Sequence, residues 1–152
     1  MRILLTGLSA RAIAESAVRA GCDIVTADYF GDVDTKRLGP NTSLRERGSG
    51  YSAAALAQLA KESTCDAVAY TGGLENHPEV VEALADGKEL LGNTAHTLRM
   101  VRDPAVLFPF LSGAGFAVPR TITFGPGAPS DLPTAPIAGT RFGSVLGFTA
   151  GL

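Results

Sequence analysis

Glu75 and His77 stand two positions apart in YTGGLENHPEVVEAL, over 70–84, and an acid beside an imidazole can take part in proton transfer. Gly72 and Gly73 precede them and would let the backbone approach a ligand closely. A second group is Gly7, Ser9 and Arg11, where a short apolar run gives way to a helical pattern. Free N–H groups and the positive end of a helix dipole would attract an anion there, with Arg11 adding charge. A third is Asp28 and Asp32, with Asp34, in DYFGDVDTK. Asp28 lies where a dinucleotide-binding unit carries its ribose-binding acid, so a NAD(P)-binding Rossmann domain is one alternative reading. GLSARA, however, has Ser9 in place of the second fingerprint glycine, the one that lets the backbone meet a pyrophosphate. No serine, cysteine or third group completes a triad with Glu75 and His77. The aspartates lack the glutamate of a calcium loop and are followed by Lys36 and Arg37. No catalytic residue and no metal site is therefore assigned. Structural duties compete at each position: Ser9 suits an N-cap, and Asn76 with Glu79 suits a capping box.

These groups sit between regular elements. Residues 2–6, RILLT, are apolar without helical spacing, and SARAIAESAVRAG then places Ile13, Ala17 and Val18 on one face, with Gly21 as the C-terminal stop. CDIVTAD is a β-branched run, followed by a turn-rich stretch to about Tyr51. Ser52 caps a helix through Lys61, DAVAYTGG is strand-like, a helix runs from Asn76 to about Ala85, and KELLGN is a further strand. Strands alternating with helices through short loops predict an α/β fold with a doubly wound parallel sheet of about four or five strands in three layers. The loops after those strands then share one edge, the carboxyl edge, where open parallel sheets bind ligands. Two helical pieces follow, TAHTLRMVR and DPAVLFPFLSGAG, the second capped by Asp103 with Pro104 at its first position. Pro109 is expected to kink or shorten that helix. FAVPRTITF reads as an exit strand, and the glycine- and proline-rich 125–152 as an irregular tail. The organisation is thus an α/β layer over 1–93, a helical pair and exit strand over 94–124, and the tail.

With 152 residues, 45% of them hydrophobic, the chain can bury one solid core. A net charge of -2 without a basic run argues against nucleic acid as a partner. The apolar start is interrupted by Gly7 and Arg11 before a signal core or membrane span is complete, so no membrane association is expected. Cys22 and Cys65 each precede an aspartate and an apolar run, as small side chains at strand starts in a reducing, cytoplasmic setting.

ILLTGLSARAIAESAVRAG, ADYFGDVDT, GGLENHP, LLGNTAHTLRMVRDPAVLFPFL and AGFAVPRT, in this order over residues 3–124, resemble the N-terminal pre-ATP-grasp domain of ATP-grasp carboxylate–amine ligases. The resemblance implies a Rossmann-like layer on the acceptor-substrate side of a cleft, a small-molecule acceptor as partner, and homodimer contacts. The three loops leaving parallel strands on the same edge place the expected ligand cleft at Gly7, Ser9, Arg11, Asp28, Asp32, Gly72, Gly73, Glu75, Asn76 and His77. ATP and Mg²⁺ belong to a complete family member and are held by a core beyond this layer. From Thr121 onward the sequence has no lysine or glutamate, one aspartate (Asp131) and one arginine (Arg141), which does not suit Mg²⁺ and a triphosphate. The expectation is a truncated, ligase-like chain that binds no cofactor by itself and is inactive unless a separate core chain joins it. A non-enzymatic interaction module is the other alternative.

Overall fold

The structure, a computed structural model, describes residues 1–119. Its strands are β1 (Arg2–Gly7), β2 (Asp23–Asp28), β3 (Asn41–Ser43), β4 (Ala67–Tyr70) and β5 (Glu89–Leu90). They form one parallel sheet in the order β3-β2-β1-β4-β5. Between them run α1 (Arg11–Arg19), α2 (Val33–Leu38), α3 (Ala53–Lys61) and α4 (Pro78–Ala85); α5 (Ala95–Arg102) and α6 (Pro104–Gly113) follow β5. This is the Rossmann-like, doubly wound α/β arrangement that the strand–helix alternation predicts.

The alternation along β1 shows how the layers are divided. Leu4 joins the larger core with Leu56, Leu59, Val68, Val81 and Leu84, under α3 and α4, and Leu98 of α5 joins the same core. Ile3 and Leu5 point to the other face, beneath Ala10, Ala14, Ile24 and Ala69. That second core is built largely from alanines, so α1 can lie close to the sheet. Within the turn-rich stretch after Asp28 the structure adds α2 and β3, which the sequence pattern does not reveal. α2 is under two turns long, and β3 is polar because it is an edge strand.

Ser52 caps α3 as expected, its hydroxyl accepting the Ala55 N–H at 3.1 Å. Asp103 caps α6, accepting the Ala105 N–H at 2.9 Å. Pro109 does not shorten α6, which continues to Gly113. Of the expected exit strand, residues 116–119 are not in a strand; its remainder and the tail 125–152 lie outside the described residues. Two compact units are separated at Arg102, so α5 belongs with the sheet and α6 with the second unit. Among the described residues no helix is long and apolar enough to cross a membrane.

Leu4 is fully buried at the centre of the sheet, whereas Val18 is 38% exposed on α1. Leu4→Ala should lower the free energy of unfolding in urea by about 2–5 kcal/mol, and Val18→Ala by no more than about 0.5 kcal/mol.

Candidate functional site

Because all five strands are parallel, β1, β2 and β4 deliver their following loops to one edge. Leu8 joins them: its N–H donates to the Gly72 carbonyl at 3.0 Å, and its carbonyl accepts the Tyr29 N–H at 3.2 Å. The Thr71 hydroxyl donates to the Ser9 carbonyl at 3.0 Å. Gly7–Arg11, Asp28–Asp32 and Gly72–His77 are therefore neighbours in space.

Asp28 is fully buried, yet its carboxylate is well supplied with donors. One oxygen accepts the Ala10 N–H at 3.2 Å; the other accepts the Gly31 N–H at 2.9 Å and the Asn41 amide at 3.4 Å. This explains why Ser9 is not the cap of α1. The N-cap position is Ala10, no side chain of the α1 segment caps it, and the carboxylate at its N–H comes from the adjacent strand. Ser9 remains exposed. Arg11 lies 3.6 Å from Asp34 and 4.0 Å from Glu15, so its charge is shared with two acids. Asp32 occupies the N-cap position of α2 without making a side-chain cap bond.

The loop after β4 is held by its own polar groups. Gly73 has φ +100°, and a Cβ there would overlap the Tyr51 hydroxyl, which donates to the Gly73 carbonyl at 3.1 Å. The Gly73 N–H donates to Glu75 Oε2 at 2.6 Å. At Gly7 an added Cβ would overlap Thr71 Oγ1. Gly7 and Gly73 thus make room for neighbouring side chains, while the space beside Gly72 is open. Asn76 does not cap α4. Pro78 fixes the first helical position, so the N-cap falls on His77, one residue later than expected, and Asn76 Oδ1 instead accepts from Arg102 Nε at 2.8 Å. Glu79, the other half of the expected box, lies 3.4 Å from His77 Nδ1. Glu75 and His77 therefore face different partners.

Sequence reasoning did not single out Tyr29, Phe30 and Tyr51, which meet edge to face at this same edge. The aromatic pair in DYFGD and the tyrosine before the Ser52 cap were the available signal. Burial pushes the Tyr51 hydroxyl above its ordinary pKa, and the Glu75 carboxylate adds to the rise; the same two causes raise Tyr70, against the hydrogen bond to Asn93. Burial also raises the Cys65 thiol, and both cysteines are free. A groove of about 770 Å³ lies elsewhere, along α4 and α5 beside Leu90, and shares no residue with the loops above.

No protein-family profile and no curated protein matches the sequence. Among solved structures, the chain is similar to the biotin carboxylase domain of a single-chain bacterial carboxylase, with TM-score 0.59 and 23% identity over 78% of this chain and 29% of that one. It is also similar to N5-carboxyaminoimidazole synthetase from Staphylococcus aureus, with TM-score 0.52 and 20% identity over 75% of this chain and 29% of that one. A third likeness is to pyruvate carboxylase from Rhizobium etli, with TM-score 0.58 and 22% identity over 79% of this chain and 12% of that one. The first two are ATP-grasp proteins, in keeping with the resemblance read from the motifs. At these identities the likeness is one of fold, and the chain spans less than a third of each neighbour.

The two acids of the loop after β2 should behave differently. Asp28→Ala leaves buried donors without an acceptor and should lower the free energy of unfolding by about 3 kcal/mol, whereas Asp32→Ala should change it by less than about 0.5 kcal/mol. Tyr51 gives a pH signature. A phenol whose folded pKa is raised contributes stability below its unfolded pKa and loses it as pH rises through the folded value. Urea unfolding of wild type should therefore weaken more steeply above about pH 10 than that of Tyr51→Phe.

Proposed function

We propose that this chain is the acceptor-substrate side of an ATP-grasp carboxylate–amine ligase, acting with an ATP-binding core that is a separate chain or further sequence. The supporting observation is the junction at Leu8, which gathers three loops at the carboxyl edge of a sheet like those of ATP-grasp carboxylases and ligases. The acceptor cleft of this reading comprises the exposed Ser9 and Gly72 with Arg11, Asp32, Glu75 and His77. Gly7, Asp28, Gly73 and Asn76 frame it through the contacts described above. Its setting is cytoplasmic, and homodimer contacts belong to the same proposal.

ATP and Mg²⁺ do not fit the described residues. Among them no group of three His, Cys, Asp or Glu side chains is placed to hold a metal ion. Lys36, the lysine near the loops, is ion-paired with Glu46. Phosphoryl transfer depends on positioned cations and metal, so no chemical step is assigned to this chain alone. The nicotinamide alternative is less well supported, because it needs Asp28 for a ribose and that carboxylate is buried against the Ala10 and Gly31 N–H groups.

Purified protein with Mg²⁺, ATP and mixed carboxylate and amine acceptors should release no phosphate above a buffer control. Turnover that survives repurification and disappears in Lys36→Ala would overturn the proposal. Thermal shift with NAD separates the alternative: a ligand at 100 times its Kd adds about 2.7 kcal/mol of stability, and a shift of that size abolished by Asp28→Asn, itself folded, would favour the nicotinamide reading.

A further inference from the structure

The aromatic residues at the carboxyl edge form a corner. The Tyr29 ring lies 5.0 Å from Phe30 at 71° and 5.9 Å from Tyr51 at 85°, centroid to centroid. Phe30 is 37% exposed and Tyr51 36%, so neither ring is sealed into the core. A carboxylate stands beside this corner. Tyr51 and Glu75 hold the same residue from its two sides, the hydroxyl at the Gly73 carbonyl and the carboxylate at the Gly73 N–H. Their closeness also shows in the effect of the Glu75 charge on the Tyr51 hydroxyl.

The charges nearby are unevenly matched. Arg11 is shared by Asp34 and Glu15, and Lys36 is paired with Glu46. Glu75 makes no ion pair among the described residues. Arg45, whose backbone N–H donates to the Tyr29 carbonyl, is exposed and also lacks an acidic partner among them; it is the charge that would favour an anion instead. Ring faces carry negative electrostatic potential and attract an ammonium group, most strongly where a carboxylate adds its field. A neutral group of the same shape gains only the apolar contact, and an anion is repelled by both.

We infer that Tyr29, Phe30 and Tyr51, with the Glu75 carboxylate, form a receptor for a cationic amine carried by the acceptor substrate. The inference rests on the acceptor-side reading above and names the chemical class that this edge selects.

The probe is choline, titrated into the whole chain and followed by NMR of the aromatic ring protons and the Gly72 and Gly73 amides. Its neutral isostere 3,3-dimethylbutanol and acetate serve as comparisons. Choline should shift the three rings, and the isostere should bind about tenfold more weakly. Phe30→Leu should weaken choline binding by about the same factor, and Glu75→Gln should weaken it and flatten its salt dependence. Tyr51→Phe keeps the ring and should retain most of the affinity. Equal binding of the isostere, or unchanged affinity in a folded Phe30→Leu protein, would overturn the inference. Acetate shifting the same rings, with the effect lost in Arg45→Gln, would remove the amine while leaving the edge as a ligand site. If no probe moved these signals, the acceptor-side reading would fall as well.

Discussion

The upper edge of this fold depends on one buried carboxylate. Asp28 ends β2, yet its bonds reach the start of α1, the turn at Gly31 and the side chain of Asn41 on β3. A buried negative charge is tolerable only when donors surround it. Here most of the donors are backbone N–H groups whose positions follow from the path of the chain. The charge therefore fixes that path, holding α1 over the end of β1 and bringing the loop after β2 back toward the edge strand. Asn41 extends the network, donating also to Thr26 Oγ1, which in turn donates to the Pro40 carbonyl.

A similar economy governs the loop after β4. Thr71 and Tyr51 fill the spaces that Gly7 and Gly73 leave, and their hydroxyls bond to carbonyls across the edge. Of the polar groups that looked available for chemistry, Asp28 and Glu75 are thus holding backbone in place, while Arg11, Asn76 and His77 are engaged with other side chains. Leu8, Ser9, Arg11, Gly72 and Asn76, together with the partly exposed aromatic rings, are what this edge presents to solvent. Within the proposed reading that division suits recognition, since Asp28 is buried and engaged with backbone N–H groups.

Much of the fold was legible in the sequence because its driving pattern is local. Apolar runs, a helix stop at Gly21 and the caps Ser52 and Asp103 each announce themselves within a few residues. The reading of Ser9 failed because of a contact between distant residues. Ser9 looked like a cap, but in a parallel sheet the start of α1 lies beside the end of β2, and the carboxylate serving it comes from 18 positions away. Asn76 failed for a local reason, since Pro78 displaces the helix start by one residue. α2 and β3 are too short for periodicity to show. The meeting of Tyr29, Phe30 and Tyr51 has no local signature beyond the presence of aromatics, because folding alone brings Tyr51 to the loop after β2.

The sheet order β3-β2-β1-β4-β5 places the earliest strand at the centre, hydrogen-bonded to β2 on one side and to β4 on the other. During synthesis β2 follows β1 closely, while residues 67–70 emerge only later, about 2–8 s after β2 at ordinary translation speeds. Through that interval β1 has one side paired and its other row of N–H and C=O groups unmet. Such an open edge invites pairing with another nascent chain, and the loop from β1 to β4 is long enough to make closure slow. The arrangement that centres the sheet on β1 thus leaves the newborn chain dependent on timing, with its middle strand open on one side until β4 has been made.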